Sequence, residues 1–419
     1  MTTSPRTFDL TLQPIRLEAG VSLRSLVVHG WWSGPDQDLE ALAALGATEP
    51  GADEGQSVLP PKSDEPKLRV ALDPSVPTIL CVHALTGDAR AGGPGGWWEP
   101  LIGPGGAIDT SRFRVLGFNN LGSCYGTTGP ADPEFPRLAQ VPGAIAAAGK
   151  GGFELPEAEM PAPITTWDQA RTILLALDAL GIGEVALVCG GSVGGMIATA
   201  LATLAPERFP RVLALAALDR ATPWIIGWNH IGRQAIAEAL RYGEDPSRML
   251  ALARQIAHMT YRAGAGLMER HGRRMVGTDA AWSPRAPYAV QTYLEHQGTR
   301  LVRRYHPLAY LSQIDAMDHH DLARRPPDPD PHETWTVQDP WPGLGRMSGR
   351  LDAIAIDTDE LFFAREIHDM VVRHRMHGHD ATWELLSSPH GHDAFLLAWE
   401  PLQRMVEACV RRITPQESP

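Results

Sequence analysis

The sequence predicts an α/β fold built on a mostly parallel, doubly wound sheet with an inserted helical lid, and three observations carry that expectation. Short apolar runs of buried-strand length recur along the chain, each followed by a turn or a helical stretch. One such run passes through a glycine-rich turn directly into a small-residue helix. From about residue 222 to 340 the strand signal disappears and helical spacing takes over.

Taken in order, residues 1–10 carry Thr, Ser, Pro, Arg and Asp where a secretory signal needs a continuous apolar stretch, so the cytoplasm is the expected compartment. Residues 34–76, rich in Gly, Pro, Asp and Glu, and 131–162, where Pro and Gly punctuate an Ala-rich stretch, read as irregular surface insertions. Strands are expected at 78–83, 114–118, 185–189, 212–217 and 353–356. Residues 166–180 (TWDQARTILLALDAL) have helical apolar spacing, and 193–204 are small and apolar enough for a buried helix. Helices are also expected at 231–242, 247–261 and 289–305. The chain then divides into a first core part, 1–221, a helical lid, 222–345, and a final core part, 346–419. A lid between two core strands would cover the carboxyl ends of the sheet, where open α/β folds bind ligands.

Composition narrows the function. With 43% hydrophobic residues among 419, the chain can bury a core without staples. A formal charge of −12 argues against nucleic acid and anionic membranes as partners, and no run of 18 apolar residues suggests a membrane span. Cys81, Cys124, Cys189 and Cys409 lie far apart with no C-x-x-C pair, so neither a metal site nor a disulfide framework is expected.

The segment VALVCGGSVGGMIATA reads as strand, sharp turn and helix, with Gly190-Gly191-Ser192-Val193-Gly194 matching G-x-S-x-G at the turn. That context makes Ser192 a candidate nucleophile of an α/β-hydrolase fold. The turn is strained and the helix packs close to the strand, so glycines flank the serine. A dinucleotide fingerprint fits less well, because Ser192 stands at the second glycine of a frame starting at Gly190. No G-K-[ST] follows, which removes a phosphate-binding P-loop.

In this fold an acid after a late strand and a histidine near the carboxyl terminus complete the triad. The run AIAI leads into Asp357-Thr358-Asp359, and SSPHGHDAF contains His390 and His392. By position alone Asp357 competes with Asp359 and His390 with His392. An imidazole takes the serine proton and returns it to the leaving group, while a buried carboxylate fixes its tautomer. Upstream, ILCVHALTG ends in a loop able to supply an oxyanion-hole amide, with Leu85 the candidate and Val193 supplying the other.

Several patches resemble the acetyl- and succinyl-transferring homoserine O-acyltransferases: HALTGDA, WWEPLIGPGGAIDTSRF, NNLGSCYGTTGP, GGSVGGM, NHIGRQAI, TYR, YLEHQG, DTDELF and GHDAFL. They are spread over most of the chain. The resemblance implies Asp359 as the acid and His392 as the base. It implies that Arg262 grips the carboxylate of an amino-acid acceptor and that Asp393 faces its ammonium group. It implies ping-pong transfer from acyl-CoA through an acyl-Ser192, with no bound cofactor, and a homodimer assembled through the lid helices. The chain departs from the family pattern in its long 32–77 and 131–164 segments, in DARAGG without a following histidine, in RYHPLAYL without the usual asparagine, and in Val193 for a longer side chain. Acylation of serine or of another alcohol, and ester or thioester hydrolysis by the same triad, stand as the other readings.

Overall fold

Among the described residues eight strands hydrogen-bond into one sheet, and their apolar residues alternate between its two faces. The computed structural model describes residues 4–49, 72–140, 158–277, 285–324 and 341–413. The strands are β1 (Arg6–Leu12), β2 (Leu26–Ser33), β3 (Thr78–Val82), β4 (Arg114–Phe118), β5 (Leu187–Gly191), β6 (Arg211–Leu215), β7 (Arg350–Ile356) and β8 (Ala381–Leu386). They stand in the order β1-β2-β4-β3-β5-β6-β7-β8. From β4 to β8 every neighbouring pair is parallel, while β1 pairs with β2 and β2 with β4 antiparallel. The mostly parallel α/β-hydrolase sheet expected from the sequence is therefore present. The pattern left β1, β2 and β8 unassigned.

Period-two alternation sends Val188, Val212 and Ala214 into one apolar layer and Leu187, Cys189, Leu213 and Leu215 into the other. The first layer is covered by α1 (Thr166–Ala179) and α2 (Val193–Leu204). The second includes Trp98, Leu101 and Phe113 from the connection between β3 and β4. Thr165 starts α1 with a reciprocal capping box to Asp168, satisfying amides that a helix start otherwise leaves unpaired.

Between β6 and β7 lie α3 (Pro223–Arg241), α4 (Ser247–Tyr261), α5 (Gly264–His271), α6 (Ala289–Val302) and α7 (Pro307–Asp318). Thr222 caps α3 and Pro223 occupies its first turn, so this helix begins eight residues before the segment expected at 231–242. The helix α7 was not expected, because its residues 307–317 are buried on every side and carry no amphipathic rhythm. Arg233 fastens α3 to it, pairing with Asp315 at 2.8 Å and Asp318 at 2.5 Å, and Asn229 donates to Asp318. The helices α8 (Ala364–Met376) and α9 (Trp399–Val410) complete the two layers.

Where they are described, the two insertions are more ordered than irregular surface. Asp38 is fully buried and takes two hydrogen bonds from Arg114, at 2.5 and 2.6 Å, while Leu42, Leu45 and Leu72 join the core. The edges of the 34–76 segment are thus core, held by a buried ion pair, rather than irregular surface. The flanks of the second insertion, Arg137–Gln140 and Ala158–Pro161, pair as an antiparallel ribbon. Residues 50–71, 141–157 and 325–340, which fall within these expectations and the lid's last part, lie outside the described residues.

Candidate active site

Ser192 sits between β5 and α2 with φ 57° and ψ −130°, a left-handed backbone that a non-glycine residue adopts only under strain. The strain is held by close packing. A Cβ on Gly190 would stand 2.5 Å from the Gly194 carbonyl carbon, and one on Gly194 would collide with the Val82 carbonyl oxygen. Only glycine lets α2 start this close to β3 and β5. The Ser192 amide donates to Leu215 of β6 at 2.9 Å, which anchors the turn across the sheet.

The side chain of Ser192 meets His392, whose Nε2 lies 2.9 Å from the serine Oγ. The other ring nitrogen, Nδ1, lies 2.7 Å from Asp359 Oδ2. Asp359 is held in turn by the amides of Leu361 at 2.8 Å and Phe362 at 2.9 Å, both donating to Oδ1. Phe362 stacks on the imidazole with ring centroids 4.9 Å apart and planes 12° from parallel. All three polar residues are at least 95% buried.

Burial alone would disfavour the imidazolium, yet the charge and hydrogen bond of Asp359, with Asp393 adding its charge, outweigh it. The His392 pKa lies above the ordinary imidazole value. Burial pushes the Asp393 carboxyl up, against the pull of Arg262, Arg254 and His392.

The competing candidates have other partners. Asp357 accepts from the Ser388 amide at 3.0 Å and from the Ser387 hydroxyl at 2.6 Å. Thr358 donates to the Ser388 carbonyl at 2.5 Å and accepts from the Gly391 amide at 3.1 Å. Their task is to stitch the acid-bearing turn to the histidine-bearing loop. His390 faces a neighbouring cavity with Arg262, Arg270 and Tyr293.

Ser192 and His392 open into a cavity of about 380 Å³, also lined by Leu85, Thr86, Trp97, Tyr261 and Asp393. Val193 heads α2, where a first-turn amide has no carbonyl to bond within the helix. Arg262 lies at the end of α4 with its Nε 3.1 Å from Asp393 Oδ2. Its guanidinium borders the neighbouring cavity of about 420 Å³ rather than the one at Ser192.

Three cations the sequence reading did not single out, Arg254, Arg300 and Arg304, line the Ser192 cavity. A signal existed: Arg254 and Tyr261 are seven apart on α4, and Arg300 and Arg304 are four apart, spacings that share a helix face. Nothing in the sequence says that this face meets the nucleophile. Among the described residues no cluster of three His, Cys, Asp or Glu side chains could hold a metal ion. No described helix is long and apolar enough to cross a membrane.

A strained serine at a strand-helix elbow, a buried His-Asp pair and a cavity beside them have the geometry that nucleophilic catalysis on an α/β-hydrolase sheet requires. Residues 77–235 match the family model for the alpha/beta hydrolase fold. The chain is 35% identical over 355 residues to the homoserine O-acetyltransferase of Thermus thermophilus, covering 79% of this chain and 80% of that one. It is 36% identical over 344 residues to the homoserine O-succinyltransferase of Magnetococcus marinus, covering 76% and 80%. A crystal structure of homoserine O-acetyltransferase from Bacillus anthracis superposes with a TM-score of 0.72 at 18% identity, covering 99% of both chains. By sequence and by fold, the chain belongs to the homoserine O-acyltransferase family of α/β-hydrolase enzymes.

Proposed function

We propose that this enzyme transfers an acyl group from acyl-CoA to the hydroxyl of homoserine by a ping-pong route through an acyl-Ser192 ester. The reading rests above all on one arrangement: Ser192, His392 and Asp393 line one cavity, and Arg262, which borders the neighbouring cavity, pairs with Asp393 at 3.1 Å. In the first half, Ser192 Oγ attacks the thioester carbonyl as its proton passes to His392 Nε2. The oxyanion lies toward the amides of Leu85 and Val193, the C–S bond breaks, and the thiolate leaves with the imidazole proton. In the second half the acceptor hydroxyl gives its proton to His392, its oxygen attacks the acyl carbon, and Ser192 departs and recovers the proton.

An amino-acid head group carries adjacent positive and negative charges. A salt-bridged Arg262 and Asp393 can receive it by exchanging partners, with ammonium against Asp393 and carboxylate against the guanidinium. Arg254 and Arg300 extend the positive side of the cavity, where a carboxylate or donor phosphates would also be favoured. The helices over the cavity would keep water from the ester intermediate. In this reading two copies pair through these helices, which leave Ile231, Leu252, Met259 and Met268 exposed.

Thiol release from acetyl-, propionyl- and succinyl-CoA, measured with homoserine, with serine and with neither, tests donor, acceptor and hydrolysis together. Release that rises with homoserine for one donor is the expected result. Release that is unaffected by either amino acid would instead assign a thioesterase, and release that rises only with serine would move the acceptor.

A further inference from the structure

The loop carrying Leu85 is held from two sides. A planar trans peptide points each carbonyl opposite the following N–H, so fixing a carbonyl also fixes the next amide. The Ala84 carbonyl accepts from the Gly87 amide at 2.9 Å and lies 2.8 Å from His83 Nδ1. His83 is buried, its Nε2 accepts from the Asn120 amide at 3.0 Å, and Nδ1 therefore carries the donated proton. The direction of the Leu85 N–H is thereby set from the core.

The next two carbonyls are held from the other side, by residues just beyond the last turn of α6. The Tyr305 hydroxyl donates to the Leu85 carbonyl at 3.1 Å. Arg304 Nη1 donates to the Thr86 carbonyl at 2.6 Å and to the Tyr125 hydroxyl at 2.7 Å. Tyr125 and Tyr305 meet edge to face with centroids 5.6 Å apart, which fixes the donors against each other. The helix α6 packs closely on α4, which ends at Tyr261, 5.9 Å from the His392 ring. One helical layer thus touches both the base and the loop opposite it.

We propose that Arg304 and Tyr305 are positioning residues that lock the two peptides following Leu85, so that the oxyanion-hole loop, whose Leu85 N–H the core orients, holds that direction rigidly only when the helical layer is docked. The proposal rests on the assignment of Leu85 as an oxyanion donor. It does not depend on which acceptor the enzyme uses.

The test is hydrolysis of p-nitrophenyl acetate by the full chain and by Tyr305→Phe, Arg304→Gln and Arg304→Lys, because that ester needs only the nucleophile and the hole. Beside it, the affinity of a small alkylboronic acid is measured, whose tetrahedral serine adduct places an oxygen where the oxyanion forms. Tyr305→Phe and Arg304→Gln should each lower kcat by roughly 10- to 100-fold with KM little changed, and should weaken boronate binding by a similar factor. Arg304→Lys, keeping a donor, should recover part of both. A fall in kcat with boronate affinity unchanged, or a rise in KM with kcat intact, would overturn the clamp. Wild-type turnover matched by all three variants would do the same. Wild-type protein that releases no p-nitrophenol, not even a stoichiometric burst, would overturn the assignment of Ser192 itself, a distinguishable result.

Discussion

Asp359 exerts two effects on His392, and a single substitution separates them. Its charge and hydrogen bond raise the imidazole pKa against burial, and its geometry holds Nε2 toward the serine. The working base is neutral imidazole, so activity should fall on acidification at a pH above the ordinary imidazole range. In Asp359→Asn the charge is gone while burial remains, so the imidazole pKa drops and the acid limb moves to lower pH. The plateau should fall by about 10³- to 10⁴-fold, as when a triad acid is made an amide. The pH dependence of ester hydrolysis checks both, and a limb that does not move would show that Asp359 does not set the charge state. At this scale the sequence points to a serine, a late acid and a C-terminal histidine, but position leaves Asp357 and Asp359 open and only the family resemblance implies Asp359. Asp357 and Asp359 differ only in where a turn aims them, and that direction comes from Leu361, Phe362 and Ser388, which no spacing rule connects.

Among the elements, the elbow between β5 and α2 is the one whose shape the sequence specifies most tightly. Gly194 lies under the carbonyls of Val82, the last residue of a central strand, and of His83, one residue past it, and that strand end cannot retreat. Gly194→Ala should therefore destabilise the protein by roughly 1–3 kcal/mol, read as a lower midpoint in urea, and should reduce Ser192 reactivity toward a fluorophosphonate. Unchanged stability would mean that α2 slides outward to make room. The inner strands were legible because burial on both faces gives continuous apolar runs, as in TILCV and RVLGF. The outer strand β8, ATWELL, has mostly half-exposed residues and lacks that signature. The helix α7 was hidden for the opposite reason, since complete burial erases the polar stripe by which amphipathic helices are recognised.

For the whole molecule, the helical layer has two faces with different work. Its inner face brings Arg254, Tyr261, Arg300 and Arg304 to the cavity. Its outer face leaves apolar side chains in solvent, Met268 most of all at 71% exposure. If two copies pair there, Met268→Glu should shift the protein to half its mass by light scattering while leaving the triad intact. A mass that does not change would place the pairing surface elsewhere. The layer's existence was legible from the loss of strand signal after residue 222. Its contacts with the Leu85 loop, across more than 200 residues of sequence, were not, because they depend on how separate elements pack.

The stitches between the acid turn and the histidine loop have a further consequence for local opening. The amides of Leu361, Phe362, Ser388 and Gly391 all end on Asp357, Thr358 or Asp359, although they come from two segments about 30 residues apart. Breaking one of these bonds loosens the rest, so acid and base share a single opening free energy rather than fraying one at a time. Acid and base should therefore open together, and hydrogen exchange at the Leu361, Phe362, Ser388 and Gly391 amides should report one shared opening free energy.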